Sequence, residues 1–69
     1  MSKGTVTAFD PRKGAGAITP DGGGPEIFVH ISAIERAGIS SLRVGDRVSF
    51  DVQTDQIRRK SFATNLILL

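Results

Sequence analysis

The sequence predicts an all-β fold, a five-stranded antiparallel Greek-key barrel in which one short helical turn follows the third strand. Five short segments rich in β-branched and apolar residues alternate with turns rich in Gly, Pro, Asp and Ser. No long helix is predicted between them, and a sheet of five half-buried strands leaves open edges unless it curls on itself. The length of 69 residues is expected to form one domain over residues 1–69.

Alternating side chains define the two faces of these strands. The predicted strands are residues 3–9, 14–19, 26–31, 47–52 and 61–69. In the fourth strand, alternation places Val48, Phe50 and Val52 inward, with Ser49 and Asp51 outward. The second strand contains two glycines and is expected to coil strongly, because glycine inside a strand often marks a bend or a close backbone approach.

A helical turn and a long connection separate the third strand from the fourth. Ser32 and Glu35 have the spacing of a capping box, and Gly38 follows as a stop signal. In the connection, Leu42 and Val44 are the expected anchors to the core. Short strands joined by one long connection are typical of a small barrel.

The composition argues against several kinds of protein. The chain has no Cys and one His, so neither a disulfide nor a metal site is predicted, and no cofactor is expected. No apolar run is long enough for a signal peptide or a membrane span; with an ordinary start at Met1, the expected location is the cytoplasm. No carboxylate is paired with a base or nucleophile in a recognised pattern, so no enzyme is predicted.

Basic residues cluster in two predicted turns. Nine Lys and Arg residues outnumber seven Asp and Glu, which gives a net charge of +2. Arg12 and Lys13 lie in the first turn, and Arg58, Arg59 and Lys60 lie in a polar loop over residues 54–60. Either cluster alone is explained by a solvated turn, but two in one small domain are explained equally well by contacts to nucleic-acid phosphates.

Aromatic side chains on the third strand point away from the core. By alternation, Phe28 and His30 lie on the outer face while their apolar neighbours face inward, either as ordinary exposed residues of a small β surface or as a surface on which bases stack. Phe9, at the end of the first strand, is expected either to stack on bases or to enter the core. Phe62 is expected at the edge of the core, and the alternative is a surface aromatic.

Several segments of the chain resemble the bacterial cold-shock protein family. They include residues 4–9, residues 13–20 as the first ribonucleoprotein motif, residues 27–31 as the second, and residues 45–50 and 63–66. Their order and spacing are far more specific than a lone Gly-rich motif. The resemblance implies an OB-fold barrel of the cold-shock domain type, which binds single-stranded RNA or DNA through outer aromatic side chains.

The resemblance also implies a site. The candidate nucleic-acid-binding residues are Phe9, Phe28 and His30 for bases, with Arg12, Lys13, Arg58, Arg59 and Lys60 for phosphates. The family usually has Trp in place of Ala8 and Phe in place of Ala15 and Ala17. Two missing rings cost about 2–6 kcal/mol, because each stacked base contributes about 1–3 kcal/mol. We therefore expect weak binding with little sequence preference, as in an RNA chaperone or a regulator of transcription or translation.

A protein-interaction module is the alternative interpretation. Loss of the outer aromatics leaves a flat, lightly apolar patch formed by Ala8, Ala15, Ala17 and Ile31. Such a patch suits another protein or a second copy of the chain in a homodimer. An exposed strand edge and the apolar segment over residues 66–69 could also take part in pairing.

Overall fold

The chain folds into a closed five-stranded β-barrel, which confirms the predicted fold class. The computed structural model describes residues 2–69, so the expectation for Met1 lies outside the described residues. The elements are β1 (Ser2–Asp10), β2 (Ala15–Pro20), β3 (Ile27–His30), α1 (Ile31–Arg36), β4 (Arg47–Asp55) and β5 (Lys60–Leu68). The strand order around the barrel is β1-β2-β3-β5-β4. The β3–β5 pair is parallel, and the other pairs are antiparallel.

Apolar side chains from all five strands and from α1 fill the barrel. The buried set is Val6, Ile18, Ile27, Val29, Ile34, Leu42, Val48, Phe50, Ala63 and Leu66. Burying one side chain of the size of Phe50 or Ile18 stabilises the fold by about 1.5–3 kcal/mol. Among the described residues, no helix is long and apolar enough to cross a membrane.

Only one of the two anchors predicted for the connection before β4 reaches the core. Leu42 is buried, as predicted, but Val44 is exposed and its prediction as an anchor is wrong. The segment around Val44 is held by its backbone instead, since the N–H of Gly45 donates to the carbonyl of Val6 at 2.7 Å.

A β-bulge in β1 changes which side chains face the core. Val6 and Ala8 pair with consecutive residues of β2, so Thr7 is the extra residue in β1. Simple alternation from the buried Val6 would place Phe9 outside the barrel. The bulge reverses this order: Ala8 is exposed, and Phe9 is partly buried and packs against the core.

A second bulge has the same effect in β5. Ser49 pairs with Ile67, and the next pair is Asp51 with Thr64. The two pairs are therefore two residues apart in β4 but three residues apart in β5. Asn65 lies at this step with a φ of 51°, a left-handed conformation that Asn tolerates better than most residues. Its Nδ2 donates to Oδ2 of Asp51 at 3.0 Å. The extra residue allows both Ala63 and Leu66 to be buried although they are three positions apart.

The burial predicted for β4 by alternation is wrong at Val52. Val52 was expected inside but is 46% exposed. The reason is that β4 pairs with β1 only up to Phe50, so Val52 lies in the part of the β4–β5 hairpin that extends beyond the barrel. Ser49 lies on the outer face with its exposed partners Lys3 in β1 and Ile67 in β5, as predicted, although it is itself buried.

An ion pair links the turn after β2 to the start of β4. Arg47 donates through both terminal nitrogens to the carboxylate of Asp21, with an Nη2–Oδ2 distance of 2.6 Å, and also to the hydroxyl of Thr5 at 3.0 Å. The hydrogen bond and the charge of Arg47 lower the pKa of Asp21, and the pKa of Arg47 is raised in return. Both groups are exposed to water, so the pair orients this turn more than it stabilises the fold.

Candidate nucleic-acid interface

Four strands place one row of side chains across the outer face of the barrel. Ala17 of β2 pairs with Ala8 of β1 on one side and with Phe28 of β3 on the other. Phe28 pairs in turn with Phe62 of β5. Directly paired residues lie on the same face of a sheet, so this row changes from small to aromatic side chains as it passes from β1 to β5.

A surface cleft lies at the aromatic end of this row, and we refer to it as the β3–β5 cleft. Its volume is about 150 Å³, and it is lined by Ala15, Phe28, Val29, His30, Arg58, Lys60 and Phe62. Phe28 is 44% exposed. The Nζ of Lys60 lies 5.5 Å from the centroid of the Phe28 ring, within cation–π range. The cleft therefore combines three aromatic rings with two cationic side chains.

A second groove lies on the α1 side of the same residues. It has a volume of about 280 Å³ and is lined mainly by α1 and β5. His30 and Phe62 border this groove as well as the β3–β5 cleft. Arg36, in the last turn of α1, also lines this groove. The two depressions thus share one border formed by two rings.

His30 caps α1, and this corrects the predicted capping box. The N-cap is His30, not Ser32, and the helix begins at Ile31. The backbone N–H of Ser32 donates to Nδ1 of His30 at 3.1 Å, and the Ser32 hydroxyl lies 2.9 Å from the same nitrogen. Because Nδ1 accepts, the proton of the neutral ring lies on Nε2. Helix termination at Gly38, with φ 74°, agrees with the predicted stop.

Two substitutions of His30 separate its capping role from its ring. We expect His30→Ala to lower the free energy of unfolding by about 1 kcal/mol, because the Ser32 N–H loses its acceptor. His30→Asn should recover most of this loss, since Asn is among the best N-cap residues. Urea denaturation of the three proteins measures the difference. Equal stabilities of the Ala and Asn variants would show that the cap contributes nothing.

An aspartate orders the backbone of each basic turn. Oδ1 of Asp10 accepts from the backbone N–H groups of Arg12 at 2.9 Å and Lys13 at 3.4 Å. Oδ1 of Asp55 accepts in the same way from the backbone of Arg58 at 3.2 Å. These Asx-type bonds fix the backbone of the two turns. Within residues 2–69, none of the five basic side chains of these turns forms an ion pair.

The structure brings together four of the residues predicted to bind nucleic acid. Phe28, His30, Arg58 and Lys60 all line the β3–β5 cleft. Phe62 joins them, so it takes the surface position that was the alternative in the sequence analysis. In the sequence, the apolar residues Ala63 and Leu66 are three positions apart with Asn65 between them. This spacing indicates a bulge, and a bulge there places Phe62 on the surface.

The other predicted residues lie elsewhere. Phe9 takes the core alternative: it is partly buried, packs against the core and lies beside Gly16 of β2. Arg12 and Lys13 lie in the β1–β2 turn and do not line the cleft. Arg59 is exposed at the tip of the β4–β5 hairpin, with a left-handed φ of 55°, and is also outside the cleft wall.

The side chains of the β3–β5 cleft supply flat rings and positive charge. These groups are complementary in kind to bases and phosphates. Across residues 2–69 there is no group of three or more His, Cys, Asp or Glu side chains that could hold a metal ion.

Comparisons with known proteins identify the family of this chain. The family described as 'Cold-shock' DNA-binding domain matches residues 2–69. Cold shock protein CspA of Rhizobium meliloti is 48% identical over 66 residues, which cover 96% of each chain. Cold shock-like protein CspD of Escherichia coli is 50% identical over 52 residues, covering 75% of this chain and 70% of the relative. The chain therefore belongs to the cold-shock domain family, which is a family of nucleic-acid-binding proteins.

Proposed function

We propose that this protein binds single-stranded RNA or DNA weakly and with little sequence preference, through the β3–β5 cleft. The observation that carries the proposal is the position of the exposed Phe28 ring beside His30, with Arg58 and Lys60 on the same wall. Unpaired bases present flat faces to such rings whatever their sequence, and their phosphates meet the cations. In the cell, we infer the role of a cytoplasmic RNA chaperone or a regulator of transcription or translation.

The small side chains on the rest of the outer face account for the weakness of the proposed binding. Ala8 and Ala17 occupy the β1 and β2 positions of the row that ends in Phe28. A base that lies over methyl groups instead of rings loses about 1–3 kcal/mol of stacking free energy. Two such losses lower affinity by roughly 30-fold to more than 10⁴-fold, at about 1.4 kcal/mol per factor of ten.

Lys60 has two partners in this mechanism. In the free protein its ammonium group lies over the face of Phe28. A base that stacks on this face displaces the ammonium group, which then reaches a phosphate on the flexible Lys stem. The cation–π contact is worth only about 0.5–1 kcal/mol at an exposed site, so it is a small barrier to binding.

A fluorescent oligothymidine of about seven nucleotides tests the proposal, since OB folds bind about 4–16 nucleotides. We expect binding that weakens about 7-fold or more between about 50 mM and about 200 mM salt if two phosphates are neutralised. Phe28→Ala should lower affinity about 5- to 140-fold. His30→Asn, which keeps the helix cap, should also lower it.

Ile67→Ala provides the matched control for this titration. Ile67 is 51% exposed, similar to Phe28, but lies outside both depressions. Its replacement should leave the affinity unchanged. No detectable binding by the unmodified protein at low millimolar concentration, or equal losses in Phe28→Ala and Ile67→Ala, would refute the proposed site.

One observation favours a second candidate function, that of a protein-interaction or self-association module. Ile67, Leu68 and Leu69 are all about half exposed or more at the C-terminal end of β5. Apolar side chains grouped at a strand end can bury one another in a homodimer. Sedimentation equilibrium tests this candidate. A dimer that Ile67→Ala weakens supports self-association, and a protein that stays monomeric at all concentrations rules self-association out.

A further inference from the structure

We propose that Phe62 stacks on a base and that the binding surface of this protein is shifted from β1 and β2 onto the β3–β5 pair. This inference rests on the proposed function and adds one residue and one base position to it. The base would lie in the β3–β5 cleft, against the rings of Phe28 and Phe62. The backbone phosphates of its nucleotide would lie near Arg58 and Lys60.

The position of Phe62 follows from its two neighbours. It is the parallel partner of the exposed Phe28, so the two side chains lie on the same face of adjacent strands. The next residue, Ala63, is buried, and successive side chains of a strand point to opposite faces. Phe62 therefore points outward, and its ring is only partly covered.

The bulge at Asn65 makes this outward position possible. Leu66 is buried, and uninterrupted alternation from Leu66 back through Thr64 would also place Phe62 in the core. The extra residue at Asn65 reverses the faces, and the hydrogen bond from its amide to Asp51 holds the bulge in place. The local backbone thus delivers a large aromatic ring to the surface beside a second one.

The distribution of rings indicates where the strand runs. The β1 and β2 positions of the outer row carry only methyl groups, so stacking surface is concentrated at β3 and β5. Phe62 and His30 border both the β3–β5 cleft and the groove beside α1. A single strand that crosses these two rings passes between the cations of the β4–β5 hairpin and Arg36 of α1.

Substitutions of Phe62 test the inference with the same oligothymidine. We expect Phe62→Ala and Phe62→Leu each to lower affinity about 5- to 140-fold, because Leu keeps apolar bulk but has no flat π face. Ile67→Ala, on the same strand beyond the bulge, should have no effect on affinity. Thermal unfolding of each variant before titration establishes that it is folded at the titration temperature.

Phe62→Trp provides a direct spectroscopic readout that does not require loss of binding. The chain has no Trp and no Tyr, so the new indole is the sole strong fluorophore. Stacking predicts strong quenching of its emission by oligothymidine, at the same midpoint as the fluorescent titration. This readout remains informative even where the Ala variant unfolds.

The outcomes distinguish this inference from the proposed function. Loss of affinity in Phe62→Leu together with Trp quenching supports the shifted surface. If Phe28→Ala weakens binding but Phe62→Leu does not, and Trp emission is unchanged, the inference is wrong and the proposed function stands. If the unmodified protein binds no oligothymidine, both are overturned.

Discussion

Replacing both Ala15 and Ala17 with Phe is expected to strengthen binding of a short oligothymidine by at least about 30-fold. Ala17 lies between Ala8 and Phe28 in the outer row, and Ala15 pairs with His30. Two new rings would therefore extend the stacking surface from β3 onto β2, and each stacked base contributes about 1–3 kcal/mol. Fluorescence anisotropy at low salt measures the change in Kd.

A pair of Leu substitutions is the matched control for this gain. Leu at the same two positions adds apolar surface of similar size without a flat π face, so its gain should be much smaller. Stability should not fall in the Phe variant, since the positions are on the outer face and aromatic residues favour strands. An affinity that stays at the level of the unmodified protein would show that bases do not cross β2.

Gly16→Ala is expected to destabilise the barrel by about 1–3 kcal/mol. A Cβ at this position would lie 2.6 Å from the carbonyl oxygen of Ala8 and 2.9 Å from Cδ1 of Phe9. The first contact involves backbone, so β1 and β2 must move apart where they pair. A domain of this size rarely has more than 3–5 kcal/mol of stability, so the substitution removes a large part of it.

Gly22→Ala serves as the control for the same chemical change. No atom lies within 4 Å of a Cβ built at Gly22. We expect its free energy of unfolding to stay within about 0.5 kcal/mol of the unmodified protein. For a domain of this size, the Gly16 variant should melt at least about 4 °C lower. Coincident melting curves for the two variants would contradict the close approach of β1 to Gly16.

Side-chain alternation and turn chemistry account for what the sequence predicted well. The period-2 pattern around Phe28 located β3 and assigned its outer face. Asp10 and Pro11 correctly marked the end of β1, and Gly38 the end of α1. Of the two glycines in the predicted second strand, Gly16 marks the expected close backbone approach. Gly14 lies instead in the turn before β2, with a left-handed φ of 65°.

The alternatives that the sequence left open at Phe9 and Phe62 have a common physical cause. Alternation assumes an unbroken ladder, but one extra residue reverses the face of every residue beyond it. The bulge at Thr7 turned Phe9 toward the core, and the bulge at Asn65 turned Phe62 away from it. Both bulges depend on pairing with a neighbouring strand, which a local pattern does not contain.

The predictions of the helix cap and of the burial of Val52 were wrong for two other reasons. His is an uncommon N-cap, and Ser32 offered a more familiar motif three residues before Glu35. Only the orientation of the His30 ring at the end of β3 shows which side chain accepts the first free N–H. Val52 has the correct phase for burial, but the barrel ends before it.

The most direct test of the central claim is an amide NMR titration of the unmodified protein with oligothymidine. We expect the largest chemical-shift changes at Ala15, Phe28, His30, Lys60 and Phe62, with little change at residues 67–69. Perturbations confined to the C-terminal end of β5, or spread evenly over the barrel, would contradict binding in the β3–β5 cleft.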